Sequence, residues 1–217
     1  MKIVIDCRFW GARHTGLGIY TQYLVENLAK IDFKNEYVLL VRAGDLGNPD
    51  LPKNFSKKIV DINAYSLEEQ LVMPWILYRI RPDIVHFPHI NVPVIYLGKY
   101  IVTVHDLIKH FFRGTQTTTR SHPVYWLKFI AYLLVFRWVI FWSRKILVPS
   151  KTVKDELTKE FAVSPSKVVV TYEASVMEPD FRKKKIDRPL PEKFAIYTGN
   201  AYPHKNLDNL LRAMKIL

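Results

Sequence analysis

The sequence predicts an α/β fold: a Rossmann-like parallel sheet with helices on both faces, followed by the start of a second domain. Three observations carry this. Short β-branched runs alternate with helical stretches, as in βαβ units. Most of the runs are continuously apolar, as in strands covered on both faces. A charged, proline-punctuated stretch then precedes one more strand and helix, Lys183, Lys184, Lys185, Arg188, Pro189 and Pro191 within Arg182–Pro191.

In order, the expected strands are Lys2–Asp6, Tyr37–Arg42, Lys58–Ile62, Asp83–Phe87, Tyr100–His105, Lys145–Pro149, Lys167–Thr171 and Phe194–Thr198. The first helix is expected to open near Gly18, with Tyr20, Tyr23, Leu24 and Leu28 on one face. Another starts at Ser150, a good N-cap, and repeats Val153, Leu157 and Phe161. A last helix is expected from Asn206. The division that follows is 1–182 for the first domain, 183–192 for a linker and 193–217 for the first strand and helix of another. One strand and one helix cannot bury a core, since domains need roughly 50 residues or more. That tail is expected to pack on the first domain or to come from a larger protein whose second domain is truncated here.

With 217 residues, 49% of them hydrophobic, the chain can build a core and is not disordered. Cys7 is the single cysteine, so a disulfide framework and a cysteine-rich metal site are both excluded. Asp6 interrupts the first apolar run too early for a secretory signal, and a cytoplasmic setting is the default. The net charge of +12 fits nucleic acid, an anionic membrane surface or a phosphorylated small molecule. A nucleic-acid binder would want a basic stripe with interleaved aromatics, whereas Lys and Arg here are scattered and cluster mainly in the linker.

Residues 123–142 form the most apolar stretch. Its length would permit a membrane span. Eleven Leu, Ile, Phe and Val residues favour insertion by roughly 0.3–0.6 kcal/mol each, and Lys128 and Arg137 oppose it by up to about 3 kcal/mol each. A span would put the flanking strands on opposite sides of the bilayer and break the sheet. Two readings stay open: a helix, or two shorter ones, buried in the domain, and a helical patch on a membrane surface with its cations snorkelling. Lys128 and Arg137 stand about 180° apart, which argues against a simple in-plane amphipathic helix.

Several motifs lie where strands end. Gly16 and Gly18 precede the first helix, where glycine lets backbone approach a ligand and helix amides favour an anion. A dinucleotide fingerprint would need a third glycine where Thr21 stands and an acid near Arg42; a P-loop would need lysine where Leu17 stands. His105 and Asp106 follow the fifth strand, at the edge where open α/β sheets bind ligands. His86 and His89 end the fourth; as a His-x-x-His pair without a third ligand they point weakly to metal. Gly199 and Asn200 end the last expected strand, and Lys205 stands at the entrance of the following helix, a place for phosphate.

Thr15-Gly-Leu-Gly-Ile-Tyr20, His86-Phe-Pro-His89, Val104-His-Asp-Leu107, Val148-Pro-Ser150 and Gly199-Asn-Ala-Tyr-Pro-His-Lys-Asn-Leu207 together resemble, in order, family four of the retaining glycosyltransferases, which have the GT-B fold. The resemblance implies two Rossmann-like domains facing a cleft, the first for the acceptor and the second for a nucleotide sugar. It implies a hexosyltransferase, mannosyltransferase-like, acting in polysaccharide biosynthesis on a saccharide or lipid-linked saccharide acceptor, with no metal or other cofactor and no nucleic-acid partner. His105, with Asp106, inherits the catalytic place beside the reacting sugar. Gly16, Gly18, Gly199, Asn200 and Lys205 inherit the donor diphosphate, and His86 and His89 fall on the acceptor side. Many relatives carry Arg where Asn200 stands. The family's paired glutamates come later than Leu217, and Glu173 is not that motif, so the chain as given is expected not to turn over. The alternative is a non-catalytic module that binds acceptor or docks on a membrane surface from the cytoplasmic side.

Overall fold

The computed structural model describes residues 1–45, 50–111, 122–174 and 191–216. They divide into two compact units, Met1–Leu107 with Leu127–Glu173, and Ile108–Trp126 with Ala174–Leu217.

The first unit is a parallel sheet of seven strands in the order β3-β2-β1-β4-β5-β6-β7. The strands are β1 (Lys2–Asp6), β2 (Glu36–Val41), β3 (Phe55–Ile59), β4 (Ile84–Phe87), β5 (Tyr100–Thr103), β6 (Lys145–Val148) and β7 (Val168–Val170). Each pairs in parallel with its neighbour, for example Val4 with Val38 and Val85. This is the fold class expected. Its helices are α1 (Thr15–Ile31), α2 (Leu67–Ile80), most of α4 (His122–Trp142) and α5 (Lys151–Glu160).

Alternation along each strand splits the interior in two. Val4, Val38, Leu40, Val85, Phe87, Val102 and Ile146 point to a face covered by Met73 and Leu77 of α2, Phe136 and Val139 of α4, and Leu157 of α5. Ile5, Leu39 and Val41 point to the other, where Val25 and Ala29 of α1 pack with Trp10 and Phe55. Burying side chains on both faces is what made the strands read as unbroken apolar runs. Local signals set the helix starts: the Ser66 hydroxyl accepts the Glu69 N–H at 3.1 Å, and the Ser150 hydroxyl accepts the Val153 N–H at 3.2 Å.

Three expectations are corrected and one open alternative is decided. The third strand lies three residues earlier than Lys58–Ile62, because Phe55–Ile59 holds the ladder to β2. Val60 and Ile62, which drew the expectation, are buried just beyond it in the core. The first helix opens at Thr15, so Gly16 and Gly18 lie inside its first turn rather than ahead of it. Residues 122–142 form one continuous helix, not two. Phe194–Thr198 is not a strand: no described residue offers it a ladder, and Phe194 and Ile196 are 55% and 81% exposed.

The second unit holds the short α3 (Ile108–Phe111), the opening turn of α4, a 3-10 turn at Pro203–Lys205 and α6 (Leu207–Met214). Most of the expected linker, residues 183–190, lies outside the described residues, as does Leu217.

Candidate functional site

In a sheet with this strand order, the crevice for a ligand opens at the carboxyl ends of the strands, where the order reverses between β1 and β4. The segments after β1, β4 and β5 meet there. They bring together most of the first-unit residues that the motifs singled out.

His105 follows β5 and is held from three sides. Its Nε2 lies 2.8 Å from the Pro88 carbonyl oxygen after β4. Its Nδ1 lies 2.7 Å from the Glu173 carboxylate after β7. Tyr20 of α1 packs edge-on against the ring, centroids 4.7 Å apart. A carbonyl and a carboxylate both accept, so this arrangement is satisfied when both ring nitrogens carry protons. The His105 side chain keeps 26% of its surface exposed, enough for a ligand to reach it. Asp106 beside it is exposed.

Behind His105 stands a buried support. Thr103 Oγ1 is 3.2 Å from the Tyr20 hydroxyl and 2.9 Å from His86 Nε2. Burial pushes His86 down to about 4, with the nearby His105 and His89 adding to the effect, so its ring is neutral near pH 7. His86 thus sits behind the surface that His105 presents, and reaches it through Thr103 and Tyr20.

His89 is equally buried and is also pushed down to about 4 by burial, against a smaller pull upward from Asp6. Its Nδ1 accepts the Asn91 backbone N–H at 2.9 Å, which leaves the single ring proton on Nε2. That nitrogen has no hydrogen-bond partner among the described residues and lies 4.0 Å from an Asp6 oxygen. Phe9 contacts the rings of both His89 and His14 edge-on. The His-x-x-His pair therefore diverges into separate hydrogen bonds. Among the described residues no cluster of three His, Cys, Asp or Glu side chains is placed to hold a metal.

At the carboxyl end of β1 lies a buried ionic cluster that the motifs did not reveal. Arg8 donates to both Asp6 oxygens, at 2.8 and 2.7 Å, and to Glu69 of α2. Asn91 Nδ2 donates to both Glu69 oxygens at 2.8 Å, and the Tyr65 N–H donates to one of them at 2.7 Å. All three charged side chains are essentially inaccessible. Burial alone would raise the Asp6 carboxyl; the Arg8 charge and hydrogen bonds outweigh it and hold Asp6 below its ordinary value. The cluster ties the loops after β1 and β4 to the start of α2. Two signals in the sequence could have revealed it: two charges, Asp6 and Arg8, at the end of an apolar strand, and an acid three residues after the N-cap Ser66. Glu173 carried no comparable signal; only the fold brings it to His105.

The glycine loop is wound tightly on the first turn of α1. Gly11 adopts φ 75°, its N–H donates to the Gly18 carbonyl at 3.0 Å, and its own carbonyl accepts the His14 N–H at 3.1 Å. A Cβ on Gly18 would lie 2.1 Å from the Gly11 oxygen, whereas one on Gly16 would meet nothing within 4 Å. Gly18 is thus required for close packing, and Gly16 leaves open space at the helix start. Between them and the loop, Thr15 holds φ 57°, a strained value for a β-branched residue.

In the second unit, Gly199 adopts φ 143° and the Asn200 carbonyl accepts from the Tyr197 hydroxyl at 2.8 Å. Lys205 closes the 3-10 turn ahead of α6 and is exposed.

Comparison with known proteins gives three results. The profile of Glycosyltransferase Family 4 matches residues 14–174. The O-antigen chain mannosyltransferase RfbU of Salmonella typhimurium is 30% identical over 122 residues, 54% of this chain and 33% of that protein. The match thus spans about a third of the curated relative's length. Among solved structures, a glycosyltransferase from Rickettsia africae ESF-5 superposes with a TM-score of 0.45 at 16% identity, covering 79% of this chain and 42% of that one. The UDP-GlcNAc 2-epimerase of Neisseria meningitidis bound to UDP-GlcNAc gives 0.47 at 13%, covering 79% and 46%. Phytolacca americana UGT2, complexed with UDP-2fluoro-glucose and pterostilbene, gives 0.45 at 11%, covering 83% and 54%.

Proposed function

Because the chain belongs to Glycosyltransferase Family 4, we propose that it moves a sugar from a nucleotide-sugar donor onto a saccharide or lipid-linked saccharide, with retention at the anomeric carbon and without a metal. Mannose is the sugar we favour, since the similar Salmonella protein is described as a mannosyltransferase.

The observation that carries the reading is the placement of His105. It stands at the carboxyl end of a central strand, beside the switch point, with its ring fixed by Pro88, Tyr20 and Glu173. A ring fixed in this way offers a hydrogen-bond donor at a defined point with little reorganisation, the condition under which a donor stabilises developing charge. Pro88 holds Nε2 from the backbone. Glu173, with 42% of its side chain exposed, holds Nδ1 from the rim. A sugar hydroxyl reaching Nδ1 takes the place of Glu173. Asp106 is assigned to the same reacting sugar.

Departure of a nucleoside diphosphate builds negative charge. Gly16 and Gly18 lie in the first turn of α1, the positive end of its dipole, and are assigned to that charge. Gly199, Asn200 and Lys205 of the second unit are assigned to donor phosphate. His86 and His89, both buried, are assigned to shaping the acceptor side through Thr103 and Phe9 rather than to touching acceptor.

The test is a transfer assay. The chain as given, and the same chain extended by a donor-binding domain carrying the paired glutamates, are each incubated with acceptor saccharides and a panel of nucleotide sugars, mannosyl nucleotides included, and nucleoside diphosphate release is measured. The chain as given is expected to give no release; the extended protein is expected to release with one donor, and His105→Ala in it should lower that by about 10²–10³. Release unchanged in His105→Ala would overturn the assignment. Saccharide binding without release from any donor by the extended protein would favour a non-catalytic acceptor-binding module.

A further inference from the structure

Helix α4 has two sides of different chemistry. Phe129, Phe136, Val139 and Ile140 are buried, and the last three belong to the larger core. On the other side Leu127, Ile130, Leu134, Trp138, Phe141 and Trp142 are exposed, with Leu127, Leu134 and Phe141 at 71%, 67% and 73%. At about 100° per residue these six occupy an arc of roughly 120°. Single exposed apolar side chains are ordinary; a continuous row of this size marks a contact surface.

The two cations of the helix border that row. Lys128 falls about 40° beyond one edge and Arg137 about 20° beyond the other. Their opposition, which as sequence argued against an in-plane helix, takes the reverse meaning once the remaining face is known to be protein core. A groove of about 380 Å³ runs along the Arg137 edge, lined by Arg137, Ile140, Phe141, Phe161, Ser164 and Lys167 among others, with no acid in its lining. Lys167 Nζ donates to the Phe141 carbonyl at 2.6 Å, which fixes its ammonium beside the last turn of α4. Among the described residues neither Arg137 nor Lys167 has an ion pair.

The helix does not cross a bilayer in this fold, although it is long and apolar enough. It connects β5 to β6, which pair directly from Ile101 with Lys145 to Thr103 with Leu147. Nor is a second copy of the chain the fitting occupant. Two such faces laid together would bring the bordering cations of two molecules, each of net charge +12, against one another. Apolar residues in the centre, tryptophan and cations at the margins, and a basic groove alongside match the layering of an anionic membrane surface.

We propose that the outer face of α4 docks on the surface of a bilayer containing anionic phospholipid, with Arg137 and Lys167 taking headgroup phosphate. The proposal stands independently of sugar transfer.

The test is sedimentation with vesicles of phosphatidylcholine alone and of phosphatidylcholine mixed equally with phosphatidylglycerol. The chain should bind the mixed vesicles and scarcely bind the neutral ones. Arg137→Gln and Lys167→Gln should each weaken binding roughly fivefold, and Leu134→Asp with Phe141→Asp should abolish it. All four positions are at the surface or its margin, and circular dichroism of each variant is the check that it is folded. Should the aspartate pair unfold, the glutamine variants alone decide. Equal binding to both vesicle types, undiminished binding by the folded variants, or no vesicle binding by a chain that dimerises through this face would overturn the proposal.

Discussion

The Nδ1 of His105 lies 2.7 Å from Oε1 of Glu173, a residue 68 positions further along the chain. Strand β5 presents the histidine, and the segment after β7 delivers the glutamate across the intervening edge of β6. Replacing Glu173 by Gln removes the charge and keeps the shape. Hydrogen bonds to charged groups contribute about 1.5–3 kcal/mol, and partial exposure places this one at the lower end. Because the reacting sugar displaces Glu173 from Nδ1, the effect should fall on binding: in the protein that carries the paired glutamates the KM for the donor sugar should drop roughly tenfold, with kcat little changed. An unchanged KM would show that Glu173 is a spectator.

Arg8 joins two buried carboxylates, Asp6 and Glu69. Removing one member of a buried ionic cluster leaves charge without compensation, at a cost of about 3–5 kcal/mol. Arg8→Met should therefore destabilise by that amount in urea unfolding. Replacing Asp6, Arg8 and Glu69 together by apolar residues should recover most of the loss. A triple variant as weak as the single one would show that the hydrogen bonds from Asn91 and Tyr65 dominate.

Stability should depend on pH in a defined window. His86 and His89 titrate near 6.5 when unfolded and are pushed down to about 4 when folded. Between those values the unfolded chain binds more protons, so stability is full above about pH 6.5 and is lost as pH falls toward 4. Each shift corresponds to something of order 3 kcal/mol. Asp6, lowered from 3.8 by Arg8, extends the loss to more acid pH. Denaturant midpoints measured from pH 7 to pH 4 should fall steeply, and a flat profile would contradict the burial of both rings. His86→Leu should remove part of the slope.

The two glycines of α1 should behave oppositely. Gly18→Ala drives a Cβ into the Gly11 carbonyl and should destabilise by about 1–3 kcal/mol. Gly16→Ala meets nothing and should be neutral, or stabilising by up to about 1 kcal/mol through helix propensity. If Gly16 serves the donor diphosphate, the same Gly16→Ala protein should nonetheless bind donor more weakly. Calorimetry on the folded variants separates the two roles.

Much of this was determined by local sequence. Apolar runs located the strands because burial on both faces demands them, and Ser66 and Ser150 fixed helix starts because an unsatisfied N–H needs a nearby acceptor. His105 was legible because a parallel strand always delivers its last residues to the ligand edge. The rest depended on contacts between distant segments. Val60 and Ile62 carried the hydrophobic signal while Phe55–Ile59 carried the ladder, since pairing is decided by the partner strand. Phe194–Thr198 has strand composition and no partner among the described residues. The sequence could count the apolar residues of α4 and place Lys128 opposite Arg137. Only the packing of Phe136 and Val139 on the sheet determined which side of the helix faced outward, and so whether the two cations crossed an apolar face or framed one. Glu173 and His105 met for the same reason: periodicity is local, whereas the sheet decides which remote ends converge.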